Sequence, residues 1–186
     1  MQFASFYISG MFIPHVRMMK TCKENTSLAN LFGLPYVVLR TPIAMDQSTL
    51  NFNWQVGGTA AFSVYTNATE SIDEASAELG VSAVLRFLSR MGIIKYKCHG
   101  GYMGTIIDED DMMNVTCGAA GIYRSLHKSG DEVEKGDILA QIIHPYEGNV
   151  ISEVKAPADG ILFFAHESPL VMELSLIHIS EPTRRR

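Results

Sequence analysis

The stretch "GTAAFSVYTNATESIDEASAELGVSAVLRFLSRMGII", residues 58–94, decides the fold class. Its first part, Ala60–Thr66, is a short apolar run of the kind that forms a buried strand. Its second part has the marks of a capped helix. Ser71 and Glu74 stand at capping-box spacing, Asp73 adds negative charge to the first turn, and Arg90 with Gly92 closes the end. Between those ends Ala77, Val81, Val84, Leu85 and Leu88 recur at helical spacing. Upstream, "KENTSLANLFG" reads as a short helix stopped by Gly33, and "PYVVL", Pro35–Leu39, as another buried strand. Strands alternating with helices predict an α/β domain, here given residues 1–97.

The texture changes at "KYKCHGG", where charge and paired glycines interrupt the pattern. Residues 98–173 then read as short strands separated by Gly, Pro and Asp turns, which predicts a small all-β sandwich or barrel. Gly130-Asp131 and Gly136-Asp137 mark two turns bracketing one short strand. The last residues stand apart. "LSLIHISEPTR", residues 174–184, reads as the in-frame translation of a common sequencing adapter, so 174–186 are expected not to be native. A gene piece cut at one end is open to being cut at both, and Met1 to being an internal methionine.

Composition excludes several function classes. Hydrophobic residues make up 47% and charged residues 19%, which is the globular range. A net charge of −5 lacks the basic stripe of a nucleic-acid binder, and no apolar run is long enough to span a bilayer. Cys22, Cys98 and Cys117 are odd in number and far apart, which suits unpaired thiols in a reducing cytoplasm. No nucleic-acid or membrane partner is expected, and oligomeric state is left open.

The candidate chemistry is sparse. The β module resembles biotinyl/lipoyl-type domains in "SLHKSGDEVEKGDILAQII" and "VKAPADGILFF". In that family the modified lysine stands at a hairpin tip. Here the tip is "HPYEGN", His144–Asn149, with no lysine, and Lys155 falls on the following strand. No biotin or lipoate is expected, and a carrier role is disfavoured. His144 and Glu147 have His-x-x-Glu spacing, but a proline stands between them and the setting is a turn, so a loop histidine is the plainer reading. "IDEDDM", 107–112, reads as an exposed acidic turn, and His127 and His166 as surface residues. "NFNWQVGG", 51–58, reads either as a polar loop with Trp54 as a buried anchor, or as hydrogen-bonding side chains gathered at the end of a central strand.

The order of strand, polar loop, capped helix and lipoyl-like module resembles the succinylglutamate desuccinylase/aspartoacylase family of the zinc carboxypeptidase clan. "PHVR" (14–17), "LPYVVLRTP" (34–42), residues 58–94, and 120–142 with 154–171 carry the resemblance. It implies a partial zinc-carboxypeptidase-like α/β domain followed by a small barrel-sandwich module. It also implies a zinc-dependent deacylase acting on N-acyl amino acids or related amides. In that family a His-x-x-Glu pair and a later histidine hold zinc, and a glutamate at the end of the strand before the long helix is the general base. The ligand motifs fall upstream of this chain, which is thus expected to be an inactive C-terminal fragment. Zinc is expected in the full-length parent and no metal ligand here. A gapless match puts Tyr65 at the glutamate position. A tyrosine, ordinarily ionising near pH 10, is suited to donating a hydrogen bond and is a poor base at neutrality. Tyr65 and Gln55 are the candidate catalytic residues, with Glu70 a further stand-in for the base, and Asn53 and Trp54 the candidate substrate contacts. The rival reading is a non-catalytic binding or gating module.

Overall fold

The computed structural model describes residues 10–21, 25–68, 72–174 and the backbone of 176–180. In chain order the elements are β1 (Gly10–Phe12), β2 (His15–Met19), α1 (Thr26–Ala29), β3 (Tyr36–Arg40), α2 (Leu50–Val56), β4 (Ser63–Tyr65), α3 (Glu74–Arg90) and β5 (Thr105–Asp108). There follow β6 (Met112–Thr116), β7 (Gly121–Ser125), β8 (Glu132–Val133), β9 (Ile138–Ile143), β10 (Val150–Lys155), β11 (Gly160–Ile161), β12 (Phe164–His166), β13 (Leu170–Val171) and β14 (Leu176–Ser180). They form two compact units. Pro14–Asn67 and Asp73–Asp110 make an α/β unit, and residues 10–13, 68, 72 and 111 onward make a β unit.

The α/β unit is built on a four-stranded sheet ordered β4-β2-β3-β5, in which β2, β3 and β5 are parallel and β4 runs antiparallel to β2. Because side chains alternate along a strand, Val16, Met18 and Val37 fall on one face. They form a core there with Ala29, Phe32, Leu34 and Ala83, against which Phe62, Val64, Leu79 and Phe87 pack. α1 begins where the Asn25 side chain accepts from the Leu28 amide, and its 3-10 extension over Asn30–Phe32 stops at Gly33, whose φ of 66° is left-handed. That termination follows the sequence reading. The joint does not: Thr105–Asp108 pairs with β3, so the units divide after Asp110 and not at Lys97.

α3 departs from expectation at its cap and at its face. Asp73 is the N-cap, and its carboxylate accepts from the Ala75 and Ser76 amides, so Glu74 is the first helical residue. Ser71 lies outside the described residues. The buried positions are Ser76, Ala83 and Arg86, whereas Val81 is 59% exposed. At about 100° per residue, Ala83 and the Val81/Leu85 pair point to opposite sides. Small residues let the helix sit close on the sheet, and the larger apolar stripe faces away. Residues 51–57, open between loop and strand-end readings, are mostly helix: α2, capped by the Thr49 hydroxyl accepting from the Phe52 amide.

The β unit is antiparallel throughout. One sheet is ordered β10-β9-β7-β13, a second β6-β14-β11-β8, and β1 pairs with β12. Tyr123, Val133, Leu139, Ile142, Val154, Leu162 and Val171 belong to one apolar core drawn from both sheets. The strands do not close into a barrel among the described residues, so the expected barrel-sandwich is seen here as layered sheets around a common core. Both Gly-Asp turns form as read: Gly130 and Gly136 have φ of 97° and 98°. The Asp131 and Asp137 carboxylates accept from the Lys128 and Glu134 amides. The adapter-like stretch supplies the backbone of β14, which pairs with β6 over Leu176–Ser180.

Candidate functional site

The face of the α/β sheet opposite the core carries polar residues beside the buried apolar Met19, Val38 and Ile107, and strand alternation dictates its membership. Register pairs His15 with Tyr65, Arg17 with Ser63, and Arg17 with Val38. His15, Arg17, Ser63 and Tyr65 therefore share one side. The Tyr65 ring stacks on His15 at 4.6 Å with planes 2° apart, and the Arg17 guanidinium lies 4.8 Å from the Tyr65 ring centre. Tyr65 thus makes one aromatic stack and one cation–π contact on this side of the sheet. His15 is fully buried.

A charge network extends from Arg17. Its guanidinium is 3.9 Å from Glu109, and Glu109 accepts from Arg40 at 2.7 Å. The Arg40 Nε donates to both oxygens of Asp46 at 3.1 and 3.2 Å, and Asp46 also accepts from the Ile43 amide. Burial works against the Arg40 charge, but the hydrogen bond to Asp46 and the proximity of Glu109 outweigh it and hold its pKa above the ordinary value. Two cations and two carboxylates cancel. At the strand ends Lys20 pairs with Asp108 and, at 3.3 Å, with Asp110, which also accepts from the Thr41 hydroxyl at 2.6 Å. The hydrogen bond to Asp108 raises the Lys20 pKa, and the Thr41 hydroxyl, then Lys20, lowers that of Asp110. Asp108, Glu109 and Asp110 nevertheless each hold a cation, Glu109 and Asp110 from 69 and 90 residues away, while Asp110 and Asp111 stay exposed as expected of this turn.

Among the described residues, the buried Arg17 Nε and Asn51 Oδ1 on this face have no hydrogen-bond partner. Both adjoin Ser63, since Arg17 is its register partner and Asn51 donates to its hydroxyl at 2.7 Å. One donor and one acceptor left unsatisfied in a buried setting are costly unless something polar completes them.

The four residues singled out from sequence are scattered. Tyr65 is at the centre of the polar face. Gln55 is 1% exposed, and its amide is committed to the backbone of Met19, accepting from its N–H at 2.9 Å and donating to its carbonyl at 3.1 Å. Met19 and the Tyr65 partner His15 are four residues apart on one strand, roughly 13 Å. Asn53 donates to the carbonyls of Gln47 and Thr49, and Trp54 is 47% exposed and not a buried anchor. Glu70 lies outside the described residues. The residues that sequence reasoning missed are His15, Arg17, Arg40 and Glu109. The only local signal was the i, i+2 alternation of His15 and Arg17 in a strand.

Elsewhere, the His144 Nδ1 accepts from the Tyr146 and Glu147 amides, at 3.4 and 3.2 Å, and so closes its own turn. That turn is the β9–β10 tip, joined by the His144 amide to Asn149, while Lys155 stands opposite Ile138 on the strand beside Glu153. His166, read as a surface residue, is buried edge-on to Tyr123. No group of three His, Cys, Asp or Glu among the described residues could hold a metal ion, so the residues present do not fit a zinc site. No helix among them is long and apolar enough to cross a membrane.

No family model matches the sequence, and no curated protein matches it. Solved structures do match in fold. The product-bound ectoine utilization protein EutE of Ruegeria pomeroyi matches with a TM-score of 0.77 at 18% identity, over 92% of this chain and 54% of that one. A succinylglutamate desuccinylase/aspartoacylase of Rhodobacter sphaeroides gives 0.74 and 18%, over 92% and 54%. A succinylglutamate desuccinylase of Silicibacter sp. gives 0.76 and 16%, over 93% and 55%. The chain spans about half the length of the solved structures it matches. Over nearly all of its length, the chain shares the fold of that half of the succinylglutamate desuccinylase/aspartoacylase structures.

Proposed function

We propose that this chain is part of a zinc-dependent hydrolase that cleaves the amide bond of N-acyl amino acids or similar small substrates, and that the chain alone is inactive. The observation that carries this reading is the fold likeness over 92% of the chain to structures named succinylglutamate desuccinylase/aspartoacylase. The residues described here do not fit a zinc site, so the reading assigns the metal to ligands outside this chain. This chain's own contribution is the polar face. An amide presents a carbonyl acceptor and an N–H donor, which complement the unsatisfied Arg17 Nε and Asn51 Oδ1 beside Ser63. The charge-neutral network behind Arg17 holds the guanidinium in place without competing for an uncharged group. Tyr65, stacked on His15 and in contact with Arg17, serves as a positioning residue or hydrogen-bond donor and not as a base.

The test is an amine-release assay on N-acetyl and N-succinyl amino acids. It would compare this chain with a longer polypeptide read in frame from the DNA ahead of Met1. The longer polypeptide should release free amine, lose that activity to a chelator and regain it with zinc. In it, Arg17→Met and Asn51→Ala should each lower kcat/KM about tenfold, as expected from losing one hydrogen bond worth roughly 1.4 kcal/mol. Chelator-insensitive hydrolysis by this chain alone would sink the reading. So would a zinc-loaded longer polypeptide that cleaves none of these amides. Tyr65 in place of the expected glutamate favours a second reading, a non-catalytic binding module, which the same assay identifies as substrate binding without turnover.

A further inference from the structure

A chain of polar contacts leads from the Arg40 guanidinium to both Arg17 and Asn51, the residues with the unsatisfied atoms. Register places Arg40 beside Met19, on the same side of the sheet as Arg17 and Val38. One arm runs through Glu109, which accepts from Arg40 at 2.7 Å and stands 3.9 Å from the Arg17 guanidinium. The longer distance is beyond a hydrogen bond, so Glu109 holds Arg17 by charge and leaves its Nε open. The other arm runs through Asp46, whose two carboxylate oxygens accept from the Arg40 Nε while one also accepts from the Ile43 amide. The Asp46 carbonyl accepts from the Thr49 amide at 2.8 Å and the Thr49 hydroxyl at 2.7 Å, and that hydroxyl caps α2 at the Phe52 amide. Asn51 stands in the first turn of α2 and donates to the Ser63 hydroxyl. The far end of α2 is tied by Gln55 to Met19, the neighbour of Arg40 across the sheet. α2 is thus held from two adjacent strand positions, and Arg40 is one of them.

We propose that Arg40 is the positioning residue for Arg17 and Asn51: it sets the donor of the first through Glu109 and the acceptor of the second through Asp46. The inference rests on the reading under Proposed function, in which those two atoms take the carbonyl and the N–H of a substrate amide. Arginine suits the task because one planar fork of N–H donors spans two carboxylates, whereas a lysine ammonium is a single point of charge. The Arg40, Asp46 and Glu109 side chains are 22%, 9% and 24% exposed, so water screens these pairs less than it screens surface ones. Loss of Arg40 acts on both arms. It frees Glu109, whose carboxylate then closes on Arg17 and occupies the guanidinium that the amide needs. It also removes the tie between Asp46 and β3, and with it the hold on the segment that caps α2.

The experiment is nuclear magnetic resonance on the full isotope-labelled chain and its Arg40→Met, Arg40→Lys, Glu109→Gln and Asp46→Asn variants, each titrated with N-acetylalanine. Two signals are read, the Arg17 Nε–H and the Asn51 side-chain amide. Before the titration, Glu109→Gln should move the first, Asp46→Asn the second, and Arg40→Met both. Arg40→Met should weaken N-acetylalanine binding about tenfold, and Arg40→Lys should restore little of it. Adding Glu109→Gln to Arg40→Met should tighten binding again by about threefold, because no freed carboxylate then competes for Arg17. A merely structural role would lower the urea midpoint and leave the affinity of the folded chain unchanged. Arg90→Met, which removes bonds to the Asn30 and Leu31 carbonyls in the same unit, should behave in that way. The inference is overturned if Arg40→Met leaves both signals in place or binds N-acetylalanine as tightly as the parent chain. A double variant that binds more weakly than Arg40→Met alone also overturns it. Should Arg40→Met not fold, Glu109→Gln and Asp46→Asn make the same test one arm at a time. Signals that move as stated in a chain that binds no N-acetylalanine uphold Arg40 as the positioning residue and remove the amide reading. Amide binding indifferent to Arg40→Met does the reverse.

Discussion

The α/β unit and the β unit fix their turns and element ends by opposite means. In the β unit the answer is local. The Asp131 and Asp137 carboxylates bond amides three residues away, and Gly130 and Gly136 supply the positive φ that each turn needs. In the α/β unit the answer is remote. Gln55 satisfies Met19 from 36 residues away, and Arg86 donates to the Phe32 carbonyl from 54. Glu109 holds Arg40 from 69. The lesson is that the two units should fail differently: one by the loss of single buried side chains, the other by small increments at its turns.

Arg86 should give the largest effect. It is 6% exposed, and it donates to the Phe32 carbonyl at 2.6 Å, the His99 carbonyl at 2.9 Å and the Gly33 carbonyl at 3.4 Å. Arg86→Met keeps much of the stem and takes that donor from the Phe32 and His99 carbonyls, while the Gly33 carbonyl keeps the Tyr102 amide at 2.9 Å. Each buried unsatisfied group costs about 1–3 kcal/mol, so a loss of about 3 kcal/mol or more is expected in urea unfolding. The signal at 222 nm reports it directly, because α1, α2 and α3 all lie in the α/β unit. A loss below about 1 kcal/mol would mean that the remote bonds are dispensable, and the contrast between the units would collapse.

Gly136→Ala should have a smaller effect, in the other unit. A Cβ added at Gly136 meets nothing within 4 Å, so no clash contributes. What remains is the strain of a left-handed backbone at φ 98°, about 1 kcal/mol for a residue with a Cβ. The readout is the urea midpoint of the full chain. A loss as large as that at Arg86 would show that the turn is held by more than its local geometry.

The same contrast explains what the sequence disclosed. The Gly-Asp turns, the Gly33 stop and the β9–β10 tip are legible because their partners sit within a few residues. Helix α3 is legible as a helix for the same reason. Its buried face is not, since the sequence shows two apolar stripes and only the sheet decides between them. The polar face was invisible because it joins His15 and Arg17 of one strand to Tyr65 and Glu109, which no local spacing relates. Gln55 was noticed for its polarity, but its commitment to Met19 depends on how α2 folds back on β2. Of the candidate site, the sequence disclosed Tyr65, and nothing of the ion pairs around Arg17.

Asp73 offers the smallest and most diagnostic test, because it is a local device placed inside the unit of remote ones. Its carboxylate accepts from the Ser76 hydroxyl at 2.6 Å, the Ala75 amide at 3.1 Å and the Ser76 amide at 3.3 Å. The Ser76 hydroxyl foremost, with the two amides, holds its pKa below the ordinary carboxylate value of 3.8. A depressed folded pKa means that the contribution is full above the ordinary value and is lost as pH falls through the folded one. Asp73→Asn keeps a good cap that carries no charge and does not titrate. The parent chain should therefore melt slightly above the variant at pH 7, by charge at the helix N-terminus as well as by the stronger acceptor. That gap should close as pH falls below about 4. Thermal melts at 222 nm in a pH series measure it, against the background of the chain's other carboxylates, which both proteins share. A gap that persists or widens on acidification would mean that the α3 cap, like Arg86, is held by its wider surroundings and not by the three atoms in contact with it.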